Sequence, residues 1–185
     1  MLTLEIVPTD LPEVLLIKPR IFRDSRGYFL ETWQQQRFAA AGIGAHFVQD
    51  NHSHSTRLTL RGLHFQIQQS QGKLVHVARG AVYDVVVDMR VSSPNFGRWV
   101  GEVLDDQQHH MLWVPPGFAH GYLTLSDSAD FMYRCTDYYA PQHERAVRWD
   151  DPTIGVRWPL AAGEQPVLSP KDAVAPLWAD AERFA

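Results

Sequence analysis

Short runs of β-branched and aromatic residues, separated by turn-forming residues, cover most of the chain. Six such runs follow one another between residues 73 and 139: KLVHVARG, GAVYDVVVDMR, WVGEVL, MLWVPPG, HGYLTLS and DFMYRCTDYY. The segments SSPNFG and VPPGFAHG are rich in the glycine, proline, serine and asparagine that favour turns. Many short strands at even spacing predict a mainly β fold, an antiparallel sandwich or barrel, of which the jelly roll is one type.

Alternation within GAVYDVVVDMR assigns its residues to two faces of one strand, because successive strand side chains point in opposite directions. Two acidic residues, Asp84 and Asp88, share a face with two valines, so this face is not predicted to be a uniform apolar core. One face carries Tyr83, Val85, Val87 and Met89, and the other carries Val82, Asp84, Val86 and Asp88.

One stretch predicts an amphipathic helix, from about Thr32 to Ala41. Thr32 is the candidate N-cap and Gly42 the candidate end, with Trp33 and Phe38 on the buried side. The chain has no internal repeat, low-complexity tract or long linker, so residues 1–185 are predicted to form one domain.

The C-terminal tail, about residues 159–185, is rich in proline and alanine and less regular than the rest. We expect it to pack on the barrel, with a short helix near Ala179.

The overall charge and composition narrow the classes of function. The 185 residues carry a net charge of −4, so no broad basic field attracts nucleic acid, and a phosphate-bearing ligand needs a local Arg or Lys cluster. The single cysteine, Cys135, excludes an intrachain disulfide and any multi-cysteine metal site. The sequence has neither an apolar run of about 20 residues nor a secretion signal, so we expect a cytoplasmic protein without membrane contact.

The stretch RGLHFQIQQSQGKLV contains the first candidates for chemistry, His64 and Lys73. A strand histidine is commonly a packed core residue, and imidazole is also a frequent metal ligand. Metal-binding barrels often have a second histidine two positions on, but Gln66 stands there and no carboxylate lies between it and Lys73, so a metal is not favoured. Lys73 is either a solvated strand end or a fixed positive charge beside a developing oxyanion.

Two further pairs of residues depend on local strand geometry. Arg61 and His64 differ by three positions, so simple alternation puts them on opposite faces unless Gly62 introduces a bulge. In YRCTDYY, alternation puts Tyr133 and Tyr139 on one face, either as core tyrosines or as a proton donor and a ring that stacks on a base.

The remaining polar candidates lie in segments that also have structural interpretations. His120 follows a rigid Pro-Pro-Gly turn, where it is either a loop packing residue or a polar contact at a barrel rim. Asp172 in LSPKDA is either an ordinary turn residue or the carboxylate that orients a histidine base. DSRGYFLE offers Arg26 and Glu31, and FVQDN offers Gln49 and Asn51.

Ten motifs in order along nearly the whole chain together resemble the dTDP-4-dehydrorhamnose 3,5-epimerase family. They are FRDSRGYFLETW, FVQDNHSHS, LRGLHFQ, QGKLV, GAVYDVVVDMR, SPNFGRWVG, VPPGFAHGY, YRCTDYYAPQHE, WDDPTIGVRWP and LSPKDA. Each motif alone is weak, whereas ten in sequence are highly specific. The resemblance implies a jelly-roll (cupin-like) fold, a homodimer with the N-terminal segment at its interface, no metal and no cofactor.

The resemblance also implies an isomerase that inverts C3 and C5 of dTDP-4-dehydro-6-deoxy-D-glucose, giving dTDP-4-dehydro-L-rhamnose for dTDP-L-rhamnose synthesis. It implies that His64 is the base, with Asp172 as its partner, that Lys73 faces the enolate, and that Tyr133 is the opposite-face acid. The positions that match residues lining or approaching the nucleotide-sugar site are Arg26, Phe29, Glu31, Gln49, Asn51, Arg61, His120, Tyr139, Glu144 and Lys171. Residues near Arg26 are implied to reach the site from the neighbouring subunit.

The implied reaction suits these residue types. C3 and C5 both flank the C4 ketone, so each proton is acidified through an enolate, and a free imidazole of pKa about 6.5 suits its removal near neutral pH. One base cannot reach both faces of a ring, so inversion requires a second group. Two alternatives stay open: an epimerase that inverts a single carbon and, in another class, a metal-dependent cupin oxygenase or a non-catalytic sugar-nucleotide binder.

Overall fold

The computed structural model describes residues 4–185 of the chain. Within this range the strands are β1 (Glu5–Pro8), β2 (Leu15–Lys18), β3 (Ile21–Asp24), β4 (Gly27–Leu30), β5 (Gln49–Thr56), β6 (Leu60–Gln66), β7 (Lys73–Arg79), β8 (Ala81–Asp88), β9 (Trp99–Asp105), β10 (Met111–Val114), β11 (Phe118–Thr124), β12 (Ser128–Cys135) and β13 (Glu144–Ala146). The helices are α1 (Gln35–Ala40), α2 (Pro170–Ala173) and a 3₁₀ turn at Pro141–His143.

The strands form two large sheets and a separate hairpin. The first sheet has the order β1-β2-β10-β7-β12-β5, the second has the order β13-β6-β11-β8-β9, and β3 pairs only with β4 among the described strands. Every pair of these strands is antiparallel. This arrangement confirms the predicted mainly β, antiparallel jelly-roll class with a few short helices.

The main core lies between the two sheets. Valines and aromatic residues of β7, β10 and β12 meet those of β8, β9 and β11, which follows from the β-branched alternation of these strands. Its fully buried members include Val75, Val77, Val82, Val86 and Leu104.

The outer face of each sheet is covered by chain from another part of the sequence. On the second sheet, Val85 and Val87 pack against residues of the C-terminal region such as Trp158, Trp178 and Phe184. On the first sheet, Ile17, Leu74 and Met111 pack against Phe38 of α1 and against Trp33 and Phe47. Strand β8 is therefore buried on both faces, and Asp84 lies at its inner face in the barrel.

Helix α1 is shorter than its sequence predicts. It begins at Gln35, because the side chain of Gln34 rather than that of Thr32 caps it by accepting a hydrogen bond from the Arg37 amide. Phe38 is fully buried, as expected of the apolar side. The helix expected near Ala179 is a single turn, in which the amide of Ala181 donates to the carbonyl of Leu177.

Two elements differ from the sequence-based prediction in ways that matter for the site. Strand β12 ends at Cys135, so the predicted common strand face of Tyr133 and Tyr139 is wrong, and Tyr139 lies in the connection after the strand. The segment LSPKDA forms the one-turn helix α2. No helix within residues 4–185 is long and apolar enough to cross a membrane.

Candidate functional site

A polar cavity with two adjoining lobes opens at one end of the barrel. Both lobes, of about 270 and 260 Å³, are lined by His64, Lys73 and Tyr133. The larger lobe is completed by Gln49, Asn51, Phe65, Gln66, Gln71, Tyr139 and Glu144. The smaller lobe is completed by Ser53, Arg61, His120, Gly121, Tyr122, Phe131, Ser169 and Asp172. The fold thus gathers most of the predicted site residues around three shared side chains.

His64 and Asp172 form a hydrogen-bonded pair at this cavity. The Nε2 atom of His64 on β6 lies 2.6 Å from Oδ1 of Asp172 on α2. The Ser169 hydroxyl donates to the other carboxylate oxygen at 2.7 Å and also caps α2 by accepting from the Asp172 amide. Burial opposes ionisation of Asp172, but the hydrogen bonds from His64 and Ser169 outweigh it and lower its pKa. A charged carboxylate therefore holds the imidazole in place.

A bulge in β6 brings Arg61 and His64 to the same lobe, as the sequence suggested for Gly62. His64 pairs with His120 on β11, and Arg61 pairs with Tyr122, so two residues of β6 lie opposite Gly121 alone. Gly62 has φ +115°, and a Cβ atom there would lie 2.7 Å from the Cα atom of Gly121. Only glycine fits this position, and the predicted bulge is confirmed.

Lys73 supplies a positive charge inside the cavity. It is half-buried at the start of β7, and no hydrogen bond or ion pair joins its ammonium group to another described residue. Burial lowers the pKa of Lys73, whereas the Cys135 side chain and the carboxylates of Asp84 and Glu144 oppose that shift. The unpaired ammonium is available to an oxyanion that forms in the cavity.

Tyr133 points into the same cavity from β12, where it pairs with Val75 of β7 and Asn51 of β5. Burial raises the pKa of Tyr133 to about 12, with smaller contributions from Cys135 and Tyr122. The phenol therefore keeps its proton throughout the neutral pH range, which a general acid requires.

His120 lies in β11, inside the barrel, and not in a rim loop. Its Nε2 atom is 2.9 and 3.0 Å from the two carboxylate oxygens of Asp84, whose side chain is fully buried. Burial raises the pKa of Asp84, and the charge and hydrogen bond of His120 oppose the rise. This second histidine–aspartate pair contributes its histidine to the lining of the smaller lobe.

Glu144, Tyr139 and Lys171 meet at the mouth of the larger lobe. Oε2 of Glu144 accepts a 2.7 Å hydrogen bond from the Tyr139 hydroxyl and lies 2.5 Å from the Lys171 ammonium group. Burial opposes ionisation of Glu144, but these two partners outweigh it and lower its pKa. Gln49 donates to the Asn51 side chain at 3.0 Å on the adjoining wall.

Three predicted binding residues lie away from this cavity within the single chain. Arg26 and Phe29 are on the β3–β4 hairpin, where Arg26 pairs with Asp24 at 2.6 Å and both line a separate surface depression. Glu31 follows the hairpin and forms an ion pair with Arg37 at 2.7 Å.

Sequence reasoning missed several residues that line the cavity, including Ser53, Gln66, Gln71, Tyr122 and Ser169. Ser169 carried a usable signal, because a serine three residues before an acidic residue marks a helix start. Gln66 and Gln71 carried no such signal, because they bond to backbone atoms that are distant in the sequence. Among residues 4–185, no three His, Cys, Asp or Glu side chains are grouped so that they could hold a metal ion.

Comparisons with known proteins show the family of the chain. The family model described as dTDP-4-dehydrorhamnose 3,5-epimerase matches residues 8–180. The protein of that name from Neisseria gonorrhoeae is 49% identical over 182 residues, which are 98% of this chain and 55% of the relative, so the chain spans about half of it. The Pseudomonas aeruginosa protein of that name is 50% identical over 175 residues, 94% of this chain and 96% of the relative.

A solved structure is similar over almost its full length. It is a dTDP-6-deoxy-D-glucose-3,5-epimerase from Legionella pneumophila in complex with dTDP-4-keto-L-rhamnose, and it is 50% identical with a TM-score of 0.91. The match covers 94% of this chain and 92% of that one.

Proposed function

The chain belongs to the dTDP-4-dehydrorhamnose 3,5-epimerase family, and we propose that it inverts C3 and C5 of dTDP-4-dehydro-6-deoxy-D-glucose. The product is dTDP-4-dehydro-L-rhamnose, an intermediate of dTDP-L-rhamnose synthesis. The observation that carries the proposal is the cavity that His64, Lys73 and Tyr133 line together, with Asp172 bonded to His64. The ligand of the Legionella pneumophila structure, dTDP-4-keto-L-rhamnose, agrees with this substrate class.

The reaction begins with proton removal beside the ketone. His64 takes the proton from C3, the C3–H electron pair moves into the ring, and the charge settles on the C4 oxygen as an enolate. Asp172 stabilises the imidazolium that results, because its carboxylate is 2.6 Å away and ionised. Lys73 stabilises the enolate oxygen, and a preorganised donor of this kind lowers a barrier by roughly 2.7–4 kcal/mol.

The second half of each inversion returns a proton on the other face. Tyr133 donates its phenolic proton to the carbon as the enolate collapses to the ketone, and the phenolate and imidazolium then re-equilibrate with solvent. The same sequence at C5 inverts the second centre. The protonated state of Tyr133 at neutral pH supports this role.

The residues at the cavity mouth suit the nucleotide. Arg61 offers a guanidinium group for the diphosphate, and Tyr139 offers a ring for the base, with Glu144 and Lys171 beside it. Tyr139 rather than Tyr138 is the ring we assign to the base, because Tyr139 lines the larger lobe.

The product formed in D2O tests this function. We expect deuterium at both C3 and C5 after coupling to a reductase that traps the C4 ketone, with the positions read by NMR. Incorporation at one carbon alone would instead identify a single-carbon epimerase, and no incorporation would refute the proposal. Tyr133→Phe should retain exchange of the substrate protons better than inversion, and equal loss of both would argue against Tyr133 as the acid.

The β3–β4 hairpin supports a homodimer in which Arg26, Phe29 and the adjacent Glu31 approach the partner's cavity. Phe22, Tyr28 and Phe29 on the hairpin are 40, 50 and 66% exposed, a concentration of apolar surface that favours an interface. We propose a cytoplasmic dimer whose N-terminal segment lies at this interface, each subunit acting as one domain over residues 1–185.

Subunit mixing tests the shared site. His64→Ala and Arg26→Ala are each expected to be inactive alone. If Arg26 acts on the partner's cavity, refolding the two together restores about one quarter of the active sites, because half of the dimers are mixed and each has one intact site. No restoration, together with a monomer by sedimentation, would contradict the dimer.

A further inference from the structure

Three glutamine side chains hold the backbone of the segment Asp137–Ala140. The Gln71 amide nitrogen donates to the Asp137 carbonyl at 2.9 Å. The Gln49 amide oxygen accepts from the backbone amide of Tyr139 at 3.0 Å. Gln66 bonds to the next two peptide groups, donating to the Tyr138 carbonyl at 3.3 Å and accepting from the Ala140 amide at 2.8 Å. Each residue of the segment is therefore fixed by a glutamine from β5, β6 or the β6–β7 connection.

Gln66 is the centre of this glutamine clamp, which we define as Gln49, Gln66 and Gln71. Its side chain is buried, and its nitrogen also donates to the Gln69 carbonyl at 2.7 Å. All its polar atoms thus bond to backbone: the nitrogen donates twice and the oxygen accepts once, which matches the two donors and the acceptor of a carboxamide. Gln66 occupies the place where a metal-binding barrel would have its second histidine, but its amide organises a loop.

Only one of the two tyrosines in this segment lines the cavity. Two tyrosines are adjacent in the segment and both are exposed, yet Tyr139 lines the larger lobe and Tyr138 does not. The segment has no regular secondary structure of its own, and side-chain bonds hold it. Besides the clamp, the Tyr138 amide donates to the Asp137 carboxylate at 2.7 Å and the Tyr139 hydroxyl donates to Glu144. Without the clamp, the peptide groups of Tyr138 and Ala140 lose their partners and the segment gains alternative conformations.

We propose that Gln66, assisted by Gln71, is a positioning residue that presents the Tyr139 ring, and not that of Tyr138, to the nucleotide base. The inference rests on the proposed function, since it assumes that Tyr139 contacts the base. It separates nucleotide binding from proton transfer: the clamp acts on affinity, whereas His64, Lys73 and Tyr133 act on the chemical step.

Calorimetric binding of dTDP and steady-state kinetics test the inference. Gln66→Met and Gln71→Met should weaken dTDP binding and raise KM by about 5- to 100-fold, the range expected when a base loses an aromatic platform. Their kcat at saturation should stay within about twofold of wild type, because the catalytic side chains are untouched. Gln71→Met removes one bond at a less buried site, so it remains informative if Gln66→Met does not fold.

A double-mutant cycle tests whether Gln66 affects dTDP binding through Tyr139 or independently of it. If Gln66 acts through Tyr139, the variant that combines Gln66→Met with Tyr139→Ala binds dTDP no more weakly than Tyr139→Ala alone. Losses that add in full would overturn the inference, as would a fall in kcat with unchanged KM. Gln68→Met is the matched control, an exposed glutamine in the same connection whose substitution should leave binding unchanged.

A second readout separates this inference from the proposed function. If wild-type protein fails to bind dTDP, the proposed function fails, and hydrogen exchange then tests the clamp by itself. Faster exchange of the Ala140 amide, which donates to Gln66, in Gln66→Met than in Gln68→Met would support the positioning role. Equal exchange in the two variants would refute it.

Discussion

Two histidine–aspartate pairs lie about one end of the same barrel, and they differ in where the carboxylate comes from. His64 on β6 meets Asp172 on the short helix α2, and the His64 side chain is 29% exposed. His120 on β11 meets Asp84 on the neighbouring strand β8, and its side chain is only 8% exposed. Both histidines line the cavity, but the carboxylate of the first pair comes from a helix outside the sheets, whereas the second pair joins two neighbouring strands of one sheet.

The surroundings of the two aspartates shift their pKa values in opposite directions. Hydrogen bonds from His64 and Ser169 outweigh burial at Asp172 and lower its pKa. Burial outweighs His120 at Asp84 and raises its pKa. A carboxylate that stays ionised can stabilise a histidine that gains a proton. Removing one partner of a buried pair costs stability, because the other partner is left without its hydrogen bond. The more exposed pair therefore suits proton transfer, whereas the more buried pair holds His120 in a fixed position at the cavity.

The largest expected effect follows from His64→Ala. Removal of the base should lower solvent exchange at both C3 and C5 by about 10²- to 10⁴-fold, because one imidazole serves both carbons. Loss at one carbon only, measured by NMR in D2O, would mean that another base serves the second centre. His46→Ala is the control, since His46 is exposed and lies outside the cavity lobes.

Replacing the aspartate of each histidine–aspartate pair by asparagine tests whether the two pairs contribute differently to stability and to rate. Asp84→Asn should lower the free energy of unfolding by about 3–5 kcal/mol, because the His120 ring loses its carboxylate partner at a fully buried position. Asp172→Asn should mainly lower the rate, with a smaller change in urea unfolding. Asp127→Asn, at an exposed position, should stay within about 0.5 kcal/mol of wild type. Equal stability losses for Asp84→Asn and Asp172→Asn would contradict the contrast.

A third histidine, His76, has no carboxylate of residues 4–185 bonded to it. His76 on β7 is half-buried, and burial lowers its pKa from 6.5 to about 4, assisted by the charge of Arg134. His109 acts in the same direction and Asp50 opposes it. As pH falls, His76 therefore gains a proton in the unfolded chain before it does so in the folded protein. The stability present above pH 6.5 is lost as pH falls toward 4.

Replacing His76 should remove that acid sensitivity. In wild type the loss amounts to at most about 3 kcal/mol between these pH values, and His76→Gln should lack that part of it. Urea unfolding at pH 7 and at pH 4.5 measures the difference. The same pH dependence in both proteins would show that His76 is not the group responsible.

The strands from β7 to β12 were predictable because alternation is local. The Arg79-Gly80 turn is present with Gly80 at φ +81°, and the acidic residue Asp84 on an otherwise apolar face is the buried partner of His120. The β3–β4 hairpin was not predicted as strands, because its short exposed runs lack a buried face. The end of β12 was also missed, since propensity does not show where pairing stops.

The sequence by itself determined the mainly β class, and its ten ordered motifs identified the family, which the family model and the 50% identical relative confirm. Strand alternation is a local property of the chain, and the family is recognised by adding up many short motifs along it. Only the tertiary structure decided that His64 bonds to Asp172, 108 residues away, that a bulge at Gly62 turns Arg61 toward the same cavity, and that Gln66 holds the backbone beside Tyr139. Such contacts depend on strand order and register, which bring distant residues together, whereas local propensity sets only the elements.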